Sequence, residues 1–323
     1  MTLESDILID RRRLKRRLSF WRVLAVIGVG LALIFAFSRS DTAAPALGFG
    51  QQIARVNVEG FIGTSRERAE MFKKLRDNSN VAAVLVHIES PGGTTSGGEA
   101  LYQELRRLAE KKPVAAVFGT AATSAAYLAG IATDYIVARG NTITGSVGVI
   151  FQWAEVSELL EKLGVRVEEI RSGPLKANPS LFKPADEQGR LISQELVSEA
   201  ESWFIGLVSE RRQAAAPALA EIRTGRIFTG RQALKNGLVD AIGDEQTAVD
   251  WFTSQRGVAK DLRIVDWRPE RTGTSGLWRT AMARIGRAAG FSTLETAILS
   301  EVNPLGDRPL EGLLSIWHPQ LGN

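Results

Sequence analysis

Residues 81 to 88 read VAAVLVHI, an almost unbroken apolar run with His87 as its one polar member. A strand with one face in water alternates apolar and polar residues. A run like this belongs to a strand buried on both faces, as in a parallel sheet covered by helices. Its surroundings agree. Ile53 to Val58 alternates as a first strand, and Arg66 to Asp77 carries Ala69, Phe72 and Leu75 on successive helical turns. Glu99 to Lys112 is amphipathic, with Leu101, Leu105, Leu108 and Ala109 in one stripe. Lys112-Pro113 stops that helix. Val114 to Phe118 is the next strand, Ala121 to Thr133 a helix of small residues, and Tyr135 to Ala138 a short strand. Further on, the pattern predicts a helix at 155–163, a strand at 165–170, a long helix from Asp186 to Gln213, and helices over Gly230–Gly237 and Glu245–Trp251. Strands alternating with helices predict an α/β domain with parallel strands and right-handed crossovers.

The formal charge of +4 is unevenly spread. Residues 1–40 hold eight Lys or Arg and three acids, which leaves 32 basic and 33 acidic residues for the rest. The body therefore gives no reason to expect nucleic acid as a partner. There is no cysteine, so disulfides and thiolate metal sites are excluded, and His87 and His318 lie far apart outside any ligand motif. No metal or cofactor is expected.

Val23 to Phe37 is wholly apolar or glycine. This is shorter than the roughly 20 residues of a typical span, and snorkelling Arg22 and Arg39 extend it to Phe20–Ser38. The cluster RRRLKRR at 11–17 precedes it, which puts the amino terminus in the cytoplasm and the body outside. A cleaved signal peptide is the alternative, with Thr42-Ala-Ala44 as small residues near a cut. The long basic region and the lack of a well-placed A-x-A site favour an uncleaved anchor. The organisation expected is a basic arm at 1–19, a transmembrane anchor at 20–38, a linker at 39–52, a catalytic domain at 53–267 and a tail at 268–323.

Ser124 stands at the junction between the 114–118 strand and the small-residue helix, where free backbone N–H groups gather. A serine hydroxyl needs a base to become a nucleophile. His87 lies inside an apolar strand and reads as a histidine bonded within or beside the sheet. A lysine can serve if its amine is neutral, and Lys176 in Arg171-Ser-Gly-Pro-Leu-Lys176 has no charged neighbour closer than Arg171. Pro91-Gly-Gly93 follows the second strand, and its glycines allow N–H groups to approach a carbonyl oxygen. Among other serines, Ser90 belongs to the turn, Ser96 reads as a cap for the helix near Glu99, and Ser146 as a turn or strand-end residue. Ala121, Ala122, Ala125 and Ala126 predict a cleft of small apolar groups around the nucleophile.

The order of these segments resembles the signal peptide peptidase A family, in its short single-domain form. The matching residues are SPGG at 90–93, A-x-S at 122–124 with Tyr127, Ala132-Thr-Asp134, TITGSVGV at 142–149, SGPLK at 172–176, and FTGRQAL with GLVD over 228–240. The likeness spans roughly residues 53–252. It implies an α/β fold of crotonase/Clp protease-like repeated β-β-α units, here with an N-terminal transmembrane helix. It implies Ser124 as nucleophile and Lys176 as general base, with backbone N–H groups of Gly92 or Gly93 as oxyanion donors and Ala125 beside them in the substrate cleft. It also implies a ring-like homo-oligomer in which neighbouring protomers complete each site. Two positions depart from the family pattern: Ala125 and Ala126 replace the usual glycines, and Glu89 replaces the usual asparagine.

The expected activity is that of a membrane-anchored serine endopeptidase of the bacterial inner membrane, with its catalytic domain periplasmic. Its substrates would be remnant signal peptides or other unfolded, membrane-derived peptides. The alternatives are an envelope quality-control peptidase of the same family, an inactive crotonase-like membrane scaffold, and an acyl-CoA enzyme of crotonase type. The outward topology disfavours the last.

Overall fold

β1 (Gln52–Ile62), β2 (Val81–Thr94), β3 (Val114–Thr123) and β4 (Tyr135–Ala138) form the parallel centre of the fold. The computed structural model describes residues 50–270 and 312–316, together with 21, 22, 25 and 28. Helix α1 (Arg66–Asp77) joins β1 to β2, α2 (Thr95–Ala109) joins β2 to β3, and α3 (Ala125–Ile131) joins β3 to β4. β8 (Ala241–Ile242) extends the parallel sheet beyond β4, and β9 (Arg263–Trp267) extends it beyond β1. β5 (Ile143–Gly145) pairs with the end of β3 and with antiparallel β7 (Ile227–Thr229).

Period-two alternation explains the composition of β2. Val84, Val86 and Ile88 join a core cluster with Leu75 of α1, Leu101 and Leu105 of α2, and Leu128 of α3. Ala83 and Leu85, on the opposite face, pack with Ala248 and Phe252 of α8 (Glu245–Arg256). Both faces are covered over Ala83–Val86, so that stretch is apolar on either side.

The pairings of the long strands are interrupted toward their carboxyl ends. β1 and β2 shift register between Glu59 and Phe61, where Gly60 has φ +67°. β2 and β3 shift between Ile88 and Ser90. β3 pairs with β4 over Ala115–Phe118 and with β5 over Ala121–Thr123.

Several local expectations change. SPGG does not end β2: Gly92 and Gly93 stay extended and pair with Phe61 and Ile62. A Cβ at Gly93 would overlap the backbone of Ile62, so the glycine is needed for this close pairing. Thr94, not Ser96, caps α2, accepting the Gly97 N–H at 2.9 Å. Residues 121–123 are strand, and the helix starts only at Ala125. The strand expected at 165–170 is absent. Its apolar side chains Val165 and Ile170 are exposed. Helix α4 (Ser157–Lys162), just before it, buries no residue. The long helix α5 (Glu187–Arg211) forms as expected, with Asp186 accepting the Gly189 N–H.

Part of the tail returns to the sheet. β10 (Gly312–Ile316) runs antiparallel to β2, with Ser315 opposite Gly93, and antiparallel to β6 (Ile150–Gln152), with Leu313 opposite Phe151. Since β1 takes one edge of β2 at Gly92 and Gly93, β10 takes the other, on the side that β3 has just left. The transmembrane anchor expected at 20–38 lies almost wholly outside the described residues. Among those described, no helix is long and apolar enough to cross a membrane.

Candidate active site

Ser124 sits between the last residue of β3 and the first of α3, with φ 58° and ψ −120°. A serine there is strained, because its Cβ crowds the neighbouring backbone in a region natural to glycine. The surroundings hold it in place. Its N–H donates to the Gly145 carbonyl at 2.8 Å, and its own carbonyl accepts the Leu128 N–H at 2.9 Å. Its hydroxyl reaches the Gly148 carbonyl at 3.5 Å, the outer limit of a hydrogen bond. Ser124 is almost wholly enclosed in the single chain, at 1% exposure.

Helix α3 is short but firmly anchored at its far end. Arg106 donates to the Ala132 carbonyl at 2.9 Å, and Arg211 donates to those of Ile131 and Thr133 at 3.0 and 3.1 Å. These cations supply donors to carbonyls that the helix leaves unpaired, at its negative end. The Tyr127 hydroxyl donates to the Leu238 carbonyl at 3.0 Å, and full burial pushes its pKa far above that of a free phenol. Asp240 accepts the Ile136 N–H at 2.7 Å and takes Arg212 on both oxygens at 2.9 and 3.0 Å. The GLVD segment is therefore a structural clasp on α3 and β4.

The wall facing Ser124 is built from SPGG. Ser90 donates to the Gly60 carbonyl at 2.5 Å and accepts the Gly92 N–H at 3.0 Å. Gly92 has φ +116°. The Gly92 N–H, one of the two expected oxyanion donors, is thus engaged by Ser90. Thr123 donates to the Pro91 carbonyl at 3.0 Å and ties this wall to the residue before the serine. Ala125, as the first helical residue, has an N–H with no intrahelical acceptor. Gly92, Gly93, Ser124 and Ala125 thus come together on adjoining strand ends.

The expected lining of small alanines is not found. Ala122, Ala125 and Ala126 are fully buried and belong to the core. The Ala125 methyl points at α2, where a Cβ on Gly98 would come within 2.9 Å of it. The two alanines in place of glycines are therefore absorbed by the core, and Ala125 offers the site its main chain alone.

Lys176 is on an exposed turn between Ser172 and Ala177, and its side chain makes no hydrogen bond or ion pair among the described residues. Exposed apolar side chains surround it in sequence: Leu159, Leu163, Val165, Ile170, Leu175 and Phe182. His87 takes no part in the site. It occupies the β2 face shared with Ala83 and Leu85, opposite the face on which α3 packs, and lines a cleft of about 440 Å³ with Glu89 and Arg139. Sequence reasoning missed Gly145 and Gly148 as partners of Ser124, although the TGSVG run marked a tight turn. It also missed β10. Among the described residues no group of His, Asp or Glu could hold a metal ion.

Residues 106–259 match the model of peptidase family S49. A Synechocystis sp. protein described as "Putative protease slr0021" is 36% identical over 79% of this chain and 95% of its own length. The Enterococcus faecium protein described as "Putative signal peptide peptidase SppA" is 34% identical over 71% of this chain and 70% of its own length. Among solved structures, a ClpP1 variant from Listeria monocytogenes is 18% identical, with TM-score 0.40, covering 60% of this chain and 94% of that one.

The strain at Ser124 is measurable. Ser124→Gly relieves it and Ser124→Ala does not, so the glycine variant should be more stable than the alanine variant by about 1 kcal/mol. Urea unfolding of the two would show equal midpoints if the serine backbone were relaxed.

Proposed function

The chain belongs to peptidase family S49 and is a serine peptidase; from that premise we propose that Ser124 and Lys176 form its catalytic dyad and that it cuts unfolded peptides at a membrane surface. The observation that carries this is Ser124 itself: a serine in a glycine-like conformation at a strand-to-helix turn, directly after Thr123, whose hydroxyl is bonded to the SPGG segment. Strain of this kind persists only where surrounding structure enforces it. In the reaction, the neutral Lys176 amine takes the proton from the Ser124 hydroxyl as its oxygen attacks the peptide carbonyl. Backbone N–H groups hold the resulting oxyanion. The ammonium then protonates the leaving amine, and water hydrolyses the acyl-enzyme with the lysine again as base.

The position of Lys176 supports a site shared between copies. An ammonium in water stays charged, and burial among apolar groups is what makes a lysine a base. In one chain Lys176 is exposed on a turn flanked by exposed apolar residues. A second copy covering Leu159, Leu163, Val165, Ile170 and Leu175 would bury that surface and receive the lysine at its own Ser124. Head-to-tail contacts of this sort close into rings.

The path of β10 supports an extended substrate. It runs between Gly92–Thr94 of β2 and Ile150–Gln152 of β6, and residues 145–148, which contact Ser124, lead into β6. A peptide added there as a strand would be held by main-chain bonds whatever its sequence. Remnant signal peptides and other unfolded chains meet that requirement, and folded proteins do not. The anchor at 20–38 and the basic arm before it would place this site on the outer face of the inner membrane.

Cleavage of a fluorogenic apolar peptide by the full-length protein tests the dyad. Ser124→Ala and Lys176→Ala should each abolish turnover, and His87→Ala should retain it. With random mixing, co-expressed Ser124→Ala and Lys176→Ala chains should recover about a quarter of wild-type activity. Mixed oligomers with no activity would place both residues in one chain's site. Removal of residues 312–323 should raise kcat/KM for extended peptides, and an unchanged value would exclude β10 from the substrate path. A phosphatase fused after residue 60 should be active outside the cytoplasm, and activity confined to a cytoplasmic reporter would reverse the orientation.

A further inference from the structure

Between the pairs Ile88–Phe118 and Ser90–Ala122, β2 advances by one intervening residue and β3 by three. The two extra residues make a bulge of Gly119, Thr120 and Ala121, opposite Glu89. A bulge takes backbone N–H groups out of the ladder, and they need other acceptors. Here one side chain supplies both. Glu89 Oε2 accepts the Thr120 N–H at 2.6 Å, and Oε1 accepts the Ala121 N–H at 3.2 Å. On the far side, the Thr142 hydroxyl donates to the Gly119 carbonyl at 2.7 Å. A Cβ at Gly119 would overlap Glu89 Oε2, so the glycine makes room for the carboxylate.

This bulge is where β3 changes neighbours, from β4 before it to β5 after it. Only Ala122 and Thr123 separate it from Ser124. Alignment with β5 brings the Gly145 carbonyl to the Ser124 N–H. The same bulge lets β2 and β3 part, so that Gly93 meets β10 rather than β3. We infer that Glu89 is a positioning residue for the reaction: its carboxylate clamps the Thr120 and Ala121 amides and thereby fixes the place of the Ser124 hydroxyl relative to the SPGG wall. It touches no substrate, because it lies on the sheet face opposite α3, with His87 and Arg139. An ionised carboxylate accepts on both oxygens, whereas an amide accepts on one and turns a donor toward the second N–H. Glutamine is therefore a partial substitute and alanine none.

The inference rests on Ser124 being the nucleophile, and the test separates the two. Full-length wild type, Glu89→Gln and Glu89→Ala are treated with a fluorophosphonate probe, the modified residue is located by mass spectrometry, and labelling rates are compared with kcat and KM for an apolar peptide. Folding of each variant is followed by circular dichroism. Wild type should label at Ser124. Glu89→Ala should label, and turn over peptide, roughly tenfold to a hundredfold more slowly with KM little changed, as expected for a nucleophile displaced by a fraction of an ångström to an ångström. Glu89→Gln should fall between them. A folded Glu89→Ala protein that labels at the wild-type rate overturns the clamp. Losses that only follow the unfolded fraction, or that appear in KM alone, overturn it as well. If the alanine variant does not fold, a folded Glu89→Gln protein with wild-type labelling does so instead. Wild type that never labels at Ser124 removes the nucleophile and the clamp with it.

Discussion

β2 and β3 pair from Val84–Val114 to Ile88–Phe118 and again at Ser90–Ala122, and then separate. A parallel sheet cannot open between two of its central strands without abandoning backbone hydrogen bonds, and each abandoned group costs energy unless it finds a new partner. The chain finds them locally. Glu89 and Thr142 take the bulge, Ser90 takes the Gly92 N–H, Thr123 reaches the Pro91 carbonyl, and Thr144 donates to the Ala122 carbonyl at 2.7 Å. The opening so stabilised lies within one fixed framework, with Gly93 on one lip and Ser124 on the other.

The framework was legible because burial leaves a periodic trace. VAAVLVHI announced a doubly covered strand, and the apolar stripes of α1 and α2 marked those helices, although α2 starts at Thr95 under a Thr94 cap. What was not legible depends on pairing between distant segments. Pro91, Gly92 and Gly93 look like a turn until Phe61 and Ile62 are set beside them. Glu89 looks like an acid near a nucleophile. Its true task exists only because Thr120 and Ala121, some thirty positions later, lose their ladder bonds. Val165 to Ile170 carries the hydrophobicity of a strand yet forms none. Lys176 gained its candidacy from resemblance to a family, because nothing in one chain distinguishes it from any other exposed lysine.

The two residues of the proposed dyad are built to different standards. Ser124 is enclosed, bonded through its main chain, and seated on a helix whose far end is held by Arg106 and Arg211. Lys176 stands on a turn among apolar side chains facing water. Under the proposed dyad, a single chain would carry a finished nucleophile and an unfinished base. Under the proposed assembly, activity would depend on protomer concentration as well as on catalytic chemistry, and a lone chain at a membrane would be harmless to its neighbours.

The pairing of β10 has a quantitative side. Residues 268–311 tie this strand to the end of the catalytic domain. A segment tethered in this way competes at an effective concentration that reaches roughly the millimolar range for short linkers and falls as the linker lengthens. A free peptide binding with ordinary main-chain affinity would rarely reach that level in solution. A peptide confined to the same bilayer as its protease gains a comparable local concentration without any new contact. The tail strand would then set a threshold, discounting dilute soluble chains and admitting those that arrive already concentrated at the membrane.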